Sequence, residues 1–555
     1  MLAYSSRRRH DTALLIASSP KTIATVRYSV VDLQSNYTLP KTQFFARIRS
    51  VALDASALGH VSQPQITYNP AFQTVTIHGV AVIRNGQRID KLTDARIEPM
   101  RRERQLERQV IDGNETLLVI LNDVRAGEPV EVSYTVEGEN PIFEGRISNG
   151  MIVAYDAPVN LIHHRIVAPA DRKLYTKPIA TDAQPEHAVE GANQILRVVR
   201  HQTPALVREQ HTPPWIKVFP VIDVSEYGSW EEVELWAQRL FALPRPAPPD
   251  VAARAAAFRD GGLKGEALVS EVLRFVQDDI RYFSVSLGES SHRPNPPELT
   301  LNNRVGDCKD KVQLLNALLR ELGFDARPAL VSMLRNRGIT ENLPSPDLFD
   351  HVISRVELDG RVWYLDPTIN GQGLNLQTRG QFPYGSALVV GIAGGLQAVA
   401  TPPPATSRAE FEQDWNLTEP GRPAKLVTVL RAHGFTAERW RMMLAGSGKE
   451  PLAQTMSGGF ARLYPNIKPV GDIEVKDDRA TNVFELRQQF EVPDFGQYNR
   501  GFLDTDYLTL DMLDILSGPP ETRRRTPYLV DHSLWAEDRK STRLNSSHVS
   551  ESRMP

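Results

Sequence analysis

RVGDCKDKVQLLNALLRELG (residues 304–323), FDHVISRVELDG (349–360) and RVWYLDPT (361–368) decide how the rest of the chain is read. The first piece holds Cys308, the one cysteine in 555 residues. Asp307 and Asp310 stand at its head. Val312, Leu315, Leu318, Leu319 and Leu322 follow at helical spacing, and Gly323 is a natural stop. Cys308 is therefore expected in the first turn of a helix. Free N–H groups and the positive dipole end favour a thiolate there and could hold an oxyanion.

The other two pieces flank Asp359-Gly360, a two-residue hairpin signal. With those residues as the turn, Leu358 faces Arg361, His351 faces Thr368 and Ile353 faces Asp366. Residues two apart share a strand face, so His351 and Asp366 become diagonal neighbours. The opposite face collects Val352, Val356, Leu358, Trp363 and Leu365, which suits a core. Taken singly, an inert buried cysteine, a strand histidine and an Asp-Pro turn are plainer readings. Joined by this register, they form the nucleophile–base–orienter arrangement.

At these residues the chain resembles the transglutaminase-like (papain-like thiol) superfamily. GDCKDK is similar to its nucleophile motif, DHVI to its histidine strand and WYLDPT to its aspartate strand. The resemblance implies a central α+β domain with Cys308 as nucleophile, His351 as base and Asp366 as orienter. It implies attack on a glutamine side chain or a peptide-like amide of a protein or peptide substrate. The thioester then passes to water (a protease or amidase) or to an amine (a cross-linker), and the sequence does not choose between them. Neither a metal nor an organic cofactor is required, and Asp278-Asp279 is too sparse for a calcium site. Cleft residues of the superfamily fall near 281–298, which makes Tyr282 and His292 candidates to line the cleft. A reading of another class keeps the domain as a non-catalytic scaffold in a β-rich envelope binding or assembly protein.

Upstream, short apolar segments alternate with turn signals. ATVRYSVVDL, QFFARIRSVAL, Thr74–Ile83, Gln87–Leu92 after Asn85-Gly86, Glu115–Leu121, Val130–Val136 and Leu196–Val199 read as strands of an antiparallel β-sandwich over 20–241. This part resembles the domain of unknown function 3857, through ITYNPAFQTVTIHGVAVIRNGQRIDKL, LNDVRAGEPVEVSYTVEGENPIFEG and PWIKVFPVIDVSEYGSWEEVELWAQRLF. The resemblance implies association with a thiol domain and no chemistry of its own. His78, His163, His164 and His211 are scattered and read as surface or satisfied core residues. MRRERQLERQ (100–109) reads as a solvated face.

Ser229–Phe241 is expected as a helix, with Ser229 and Glu232 as a capping box and Val233, Trp236, Ala237, Leu240 and Phe241 as its apolar stripe. LPRPAPPD (243–250) is a proline-rich linker. The catalytic domain is expected over 251–400, opening with a helix at Gly265–Ile280. Ala329–Met333 reads as a buried strand, and Leu334–Leu348 as a polar loop placed to cover a cleft. TPPPATS (401–407) closes the domain. Residues 408–535 return to strands (LVTVLRAHG, IEVKDD, NVFELRQQFEV, TPYLVDH) around a helical piece at Thr436–Gly446, and read as a small C-terminal β domain.

Composition is that of an ordinary soluble globular protein, 41% hydrophobic and 24% charged. A net charge of −3 gives no sign of a nucleic-acid or anionic-membrane partner. A single cysteine excludes an intramolecular disulfide framework and a multi-cysteine zinc site. No stretch reads as a membrane span, and oligomeric state is left open. Residues 1–20 and 541–555 read as disordered. STRLNSSHVSESRMP (541–555) resembles translated adapter read-through, so a non-native tail and a truncated C-terminus are expected. Multidomain proteins of this kind are usually exported or periplasmic. The N-terminal Arg7-Arg8-Arg9 and Ala13–Ala17 are too short and interrupted for a secretion signal.

Overall fold

The computed structural model describes residues 25–101, 110–111, 113–285, 288–400, 407–416, 422–461, 464–493, 495, 497–499, 502–504 and 524–527. The expectations for 1–20, 541–555 and most of 100–109, TPPPATS and TPYLVDH lie outside these residues. The chain forms two compact units, divided near Pro402.

The fold is multidomain: an N-terminal β-sandwich, a central α+β transglutaminase-like region and a small C-terminal β domain. In the first unit an eight-stranded sheet runs in the order Glu186–Glu190, Asn193–Thr203, Val159–Pro169, Val26–Asn36, Gln43–Ala52, Pro129–Glu137, Thr74–Arg84, Gln87–Asp90. Asn85 and Gly86 both take positive φ, 52° and 77°, as the tight hairpin there demands. Val31, Ala46, Val80, Val132 and Ile162 pack with Ile66 and Val119 of a small sheet formed by Gln65–Tyr68, Glu115–Ile120 and Arg96–Arg101. Further along the sheet, Ile166, Ala168, Leu196 and Val198 pack with Met151, Ile222 and Val224 of a second small sheet. Its strands are Ser148–Ile152, Val221–Ser225 and Tyr175–Ile179. Ile162 and Ile166 lie an even number of residues apart, so both small sheets cover one face. The second layer of the sandwich is thus split.

Within the eight-stranded sheet, one pairing departs from the antiparallel expectation. Val26–Asn36 and Val159–Pro169 run parallel, with Val31 opposite Ile162. Parallel neighbours need a long connection, and turn signals between adjacent strands carry no trace of it.

The central sheet is antiparallel, in the order Arg361–Leu365, His351–Leu358, Asp325–Val331, Ser386–Val389, Leu396–Ala398. Leu358 pairs with Arg361 and Ser354 with Leu365, the register expected from Asp359-Gly360, whose φ values are 52° and 74°. Val356, Trp363 and Leu365 pack against Leu314, Leu315, Leu318 and Leu319 of the helix Cys308–Glu321. Ile353 and Tyr364 pack on the other side with Ala329, Val331 and Tyr384. Helices Gly265–Asp278, Pro249–Asp260 and Pro297–Asn303 complete the helical layer. The helix Trp230–Leu240 forms as expected, but Ser229 makes no side-chain cap bond. Glu232 instead bonds Arg146 at 2.5 Å and the Gly228 N–H at 3.3 Å.

In the second unit, Ala409–Asn416, Ala424–His433, Val483–Val492 and Lys468–Asp478 form an antiparallel sheet in that order. Two helices pack on it, Phe435–Ser447 and Lys449–Ala461. The second was not expected. It carries Pro451, Gly458 and Gly459, which lower its intrinsic helicity, and buried Leu452, Met456 and Phe460 hold it to the sheet.

Candidate active site

Asp307 caps the helix Cys308–Glu321. Its carboxylate accepts the N–H groups of Lys309 at 3.1 Å and Asp310 at 3.3 Å, and Ser284 Oγ at 3.2 Å. Lys309 Nζ also bonds it. Asp310 accepts the Asp307 N–H at 3.2 Å, closing the capping box, and takes the Asn295 N–H at 2.7 Å. Burial, and then the charge of Asp307, raise the Asp310 carboxyl. Gly306 lets this turn close. A Cβ there would stand 2.7 Å from Asp310 Cβ and 3.0 Å from Thr300 Cγ2. Cys308 starts the helix, half-buried against a cluster that includes Ile142, Phe143, Trp236, Leu330, Val352 and Leu388.

His351 opens its strand, and Asp366 follows directly after Leu365. Both are buried, and His351 Nε2 bonds Asp366 Oδ2 at 2.8 Å. The same oxygen accepts Tyr384 Oη at 2.5 Å, while Oδ1 accepts the Thr368 N–H at 2.8 Å and Thr368 Oγ1 at 2.7 Å. Burial works against charging the His351 ring. The Asp366 carboxylate and the Cys308 side chain hydrogen-bonded to the ring outweigh it, and the pKa lies well above the ordinary histidine value. Burial pushes the Asp366 carboxyl up, but the charge of His351 and the bonds from His351, Thr368 and Tyr384 leave it well below the carboxylate range. With Nε2 engaged by Asp366, Nδ1 is the ring nitrogen left for the thiol. The three sequence-derived residues therefore meet around one imidazole.

Backbone supports this corner from behind. Gln277 Nε2 donates to the Asp366 carbonyl at 2.8 Å. Lys311 Nζ donates to the carbonyls of Ile280 at 2.7 Å and Gln277 at 3.2 Å, where the helix Gly265–Asp278 ends. Those carbonyls lack helical partners, and a buried lysine supplies them. Burial lowers the Lys311 pKa to about 8, partly offset by Asp366 and Asp278.

Tyr282 pairs with Gly306 just ahead of Cys308, beside the nucleophile turn. The His292 ring packs edge-on to Phe143 at 4.9 Å and Trp236 at 5.8 Å, and its Nδ1 bonds Ser291 Oγ at 2.8 Å. It thus meets the N-terminal turn Pro141–Phe143. His163 and His164 bond Asp32 and the Ile152 carbonyl, satisfied as expected.

The segment Leu334–Leu348 is not a free cover. Asn342 Nδ2 donates to Asp223 at 2.6 Å, Ser225 Oγ to the Pro344 carbonyl at 2.7 Å, and Ser345 Oγ bonds Ser148 Oγ at 2.7 Å. Serine, asparagine and proline gave it a loop composition, but these polar groups are spent on the strands Val221–Ser225 and Ser148–Ile152.

Sequence reasoning gave no role to Tyr384, Gln277 or Lys311. Tyr384 sits in QFPYGS, which has no periodicity, and the other two look like polar residues on helices. Among the described residues no group of three or more His, Cys, Asp or Glu could hold a metal ion. Among them, too, no helix is long and apolar enough to cross a membrane, which says nothing of a β-barrel.

Residues 252–365 match the model of the transglutaminase-like superfamily, and residues 41–207 match that of the domain of unknown function DUF3857. The chain carries a transglutaminase-like domain behind a DUF3857 domain. A crystal structure from Parabacteroides distasonis ATCC 8503, provisionally called a protease, is 12% identical and has a TM-score of 0.58. It covers 84% of this chain and 93% of its own, so the shared fold extends well beyond the transglutaminase-like domain. An M1 zinc metallopeptidase from Deinococcus radiodurans is 12% identical at a TM-score of 0.20, over 36% of this chain and 42% of its own. Aminopeptidase A from Legionella pneumophila is 10% identical at 0.22, over 36% and 21%. At such scores neither bears on the transglutaminase-like site. No curated protein matches the chain.

Proposed function

We propose that the protein is a thiol-dependent acyl-transfer enzyme acting on glutamine side chains or peptide-like amides, with Cys308, His351 and Asp366 as its triad. The observation that carries this is the buried 2.8 Å bond between His351 and Asp366, on a ring that also meets the Cys308 side chain at a capped helix start. Cys308 sulfur bonds the carbonyl carbon, the C–N bond breaks, and His351 gives its proton to the departing amine. Water then loses a proton to His351 and attacks the thioester, releasing a carboxylic acid and restoring Cys308. An amine in place of water yields a new amide. Asp366 keeps the ring oriented and offsets its charge. The provisional protease name of the Parabacteroides neighbour goes with the hydrolytic branch.

Incubating a peptide library with the protein and with Cys308→Ala, with and without a labelled primary amine, tests this by mass spectrometry. Cleaved or deamidated peptides that vanish in the variant support hydrolysis, and amine incorporation supports cross-linking. Peptides left unchanged by both proteins would put the non-catalytic scaffold ahead, and identical products from both would remove Cys308 as the nucleophile. An exported or periplasmic place of action belongs to the same proposal, and fractionation of producing cells tests it.

A further inference from the structure

Asp366 is unevenly loaded. Its Oδ1 serves one residue, Thr368, through two bonds, whereas its Oδ2 serves two residues that compete for it. Tyr384 Oη and His351 Nε2 lie 2.5 Å and 2.8 Å from that single oxygen. Tyr384 is 1% exposed, and its ring lies near-parallel to the imidazole, with centroids 6.1 Å apart and planes 26° apart. Its backbone is fixed too. The Tyr384 N–H donates to the Phe382 carbonyl at 2.9 Å, and the Tyr384 carbonyl accepts the Ser386 N–H at 2.8 Å. A phenol so placed cannot turn away from the carboxylate.

We propose that Tyr384 is a positioning residue for the His351–Asp366 pair, and that its hydroxyl limits how strongly Asp366 holds the imidazolium. A carboxylate oxygen that accepts two hydrogen bonds gives each donor a smaller share of its charge. Without the hydroxyl, Oδ2 bears on His351 alone. The Nε2–H···Oδ2 bond strengthens, the charged ring is favoured, and His351 becomes a weaker acid toward the departing amine. The hydroxyl thus keeps the base from being held too tightly. The effect on turnover rests on the triad reading above, whereas the effect on the His351 ring does not.

The other titratable and charged groups around the pair are Cys308 and Lys311, both on the helix Cys308–Glu321, and Asp350 just ahead of the His351 strand. Tyr384→Phe leaves all of them in place and keeps the ring over the imidazole, so it isolates the hydroxyl.

The test is proton NMR of the full chain at one neutral pH, with the His351 Nε2–H resonance assigned by its loss in His351→Gln. In Tyr384→Phe that resonance should move downfield, as the bond to Asp366 strengthens. In protein carrying ortho-fluorotyrosine at 384, a better donor, it should move upfield. A tyrosine that only fills space would leave the resonance unmoved, and the proposal would fall. Should Tyr384→Phe not fold, the fluorotyrosine protein alone decides, because an unmoved or downfield signal there also overturns the proposal. Where substrate is turned over, the alkaline limb of the rate profile should move to higher pH in Tyr384→Phe, with kcat falling several-fold and KM little changed. Absence of turnover in the unsubstituted protein would count against the triad reading only, since the resonance shift is read without it.

Discussion

Ser225 Oγ donates to the carbonyl of Pro344 at 2.7 Å, and so ties a strand of the N-terminal part to the segment that leads into His351. Asn342 and Ser345 add bonds to Asp223 and Ser148 on the same sheet. The approach to the candidate base is therefore held by side chains far away in sequence.

Asn342→Ala should show what that tie is worth. It removes a buried bond to the Asp223 carboxylate, whose other partner, Lys217 Nζ, is 3.4 Å away. A buried group left short of a partner costs about 1–3 kcal/mol. Urea unfolding should report a loss of that size with an unchanged m-value, and peptide turnover should fall with it. An unaltered midpoint would mean that water replaces the amide at no cost.

Within the triad, the roles set an order. Cys308→Ala should abolish acyl-enzyme formation, and His351→Ala should be nearly as damaging because the ring moves protons in both half-reactions. Asp366→Ala should keep more activity, although each loss could span several powers of ten. The losses should not add in the triple variant. Turnover of one amide substrate by all four proteins decides it, and wild-type rates in Asp366→Ala would remove Asp366 from its role.

The same pair predicts a pH window. His351 has a raised folded pKa, so its contribution is complete below its ordinary value of 6.5 and fades as pH climbs through the raised one. Asp366 has a lowered folded pKa, so its contribution is complete above the ordinary carboxylate range and fades as pH falls through the lowered one. Between these limits the pair stays charged. Asp366→Asn should lose the alkaline end first, because the ring then deprotonates at lower pH. Profiles of kcat/KM for the two proteins check this, and coincident alkaline limbs would contradict it.

Lys311 gives a signal of opposite sense. Its folded pKa of about 8 lies below the ordinary 10.5, so above about 8 the unfolded chain binds more protons and stability rises with pH until 10.5. The shift corresponds to roughly 3 kcal/mol at most. Lys311→Met should abolish that rise while leaving the carbonyls of Gln277 and Ile280 without their donor. Denaturation midpoints of the two proteins should therefore diverge between pH 8 and 10.5. Parallel curves would show that Lys311 titrates normally.

What could be read from sequence was local. The register around Asp359-Gly360, the Asp307–Asp310 cap and the helix that follows each depend on residues a few positions apart, where sterics and spacing act directly. From the hairpin register alone, His351 and Asp366 come within reach. The missing parts depend on distant partners. Tyr384 reaches Asp366 from an aperiodic loop, the parallel pair Val26–Asn36 and Val159–Pro169 joins segments far apart, and the helix Pro249–Asp260 begins inside a proline run that reads as linker. Proline suits a first helical turn as well as a loop, and composition does not tell the two apart.

The helix Trp230–Leu240 precedes that proline run in sequence, yet Val233, Trp236 and Leu240 share one apolar cluster with Val312, Leu330, Val352 and Leu388. Cutting the chain at 243–250 would split a single oil drop between two fragments. The C-terminal piece would carry all three candidate triad residues and still be born with an open wound of hydrophobic surface beside Cys308. For anyone wishing to express the thiol domain alone, the natural punctuation of the sequence is the wrong place to stop.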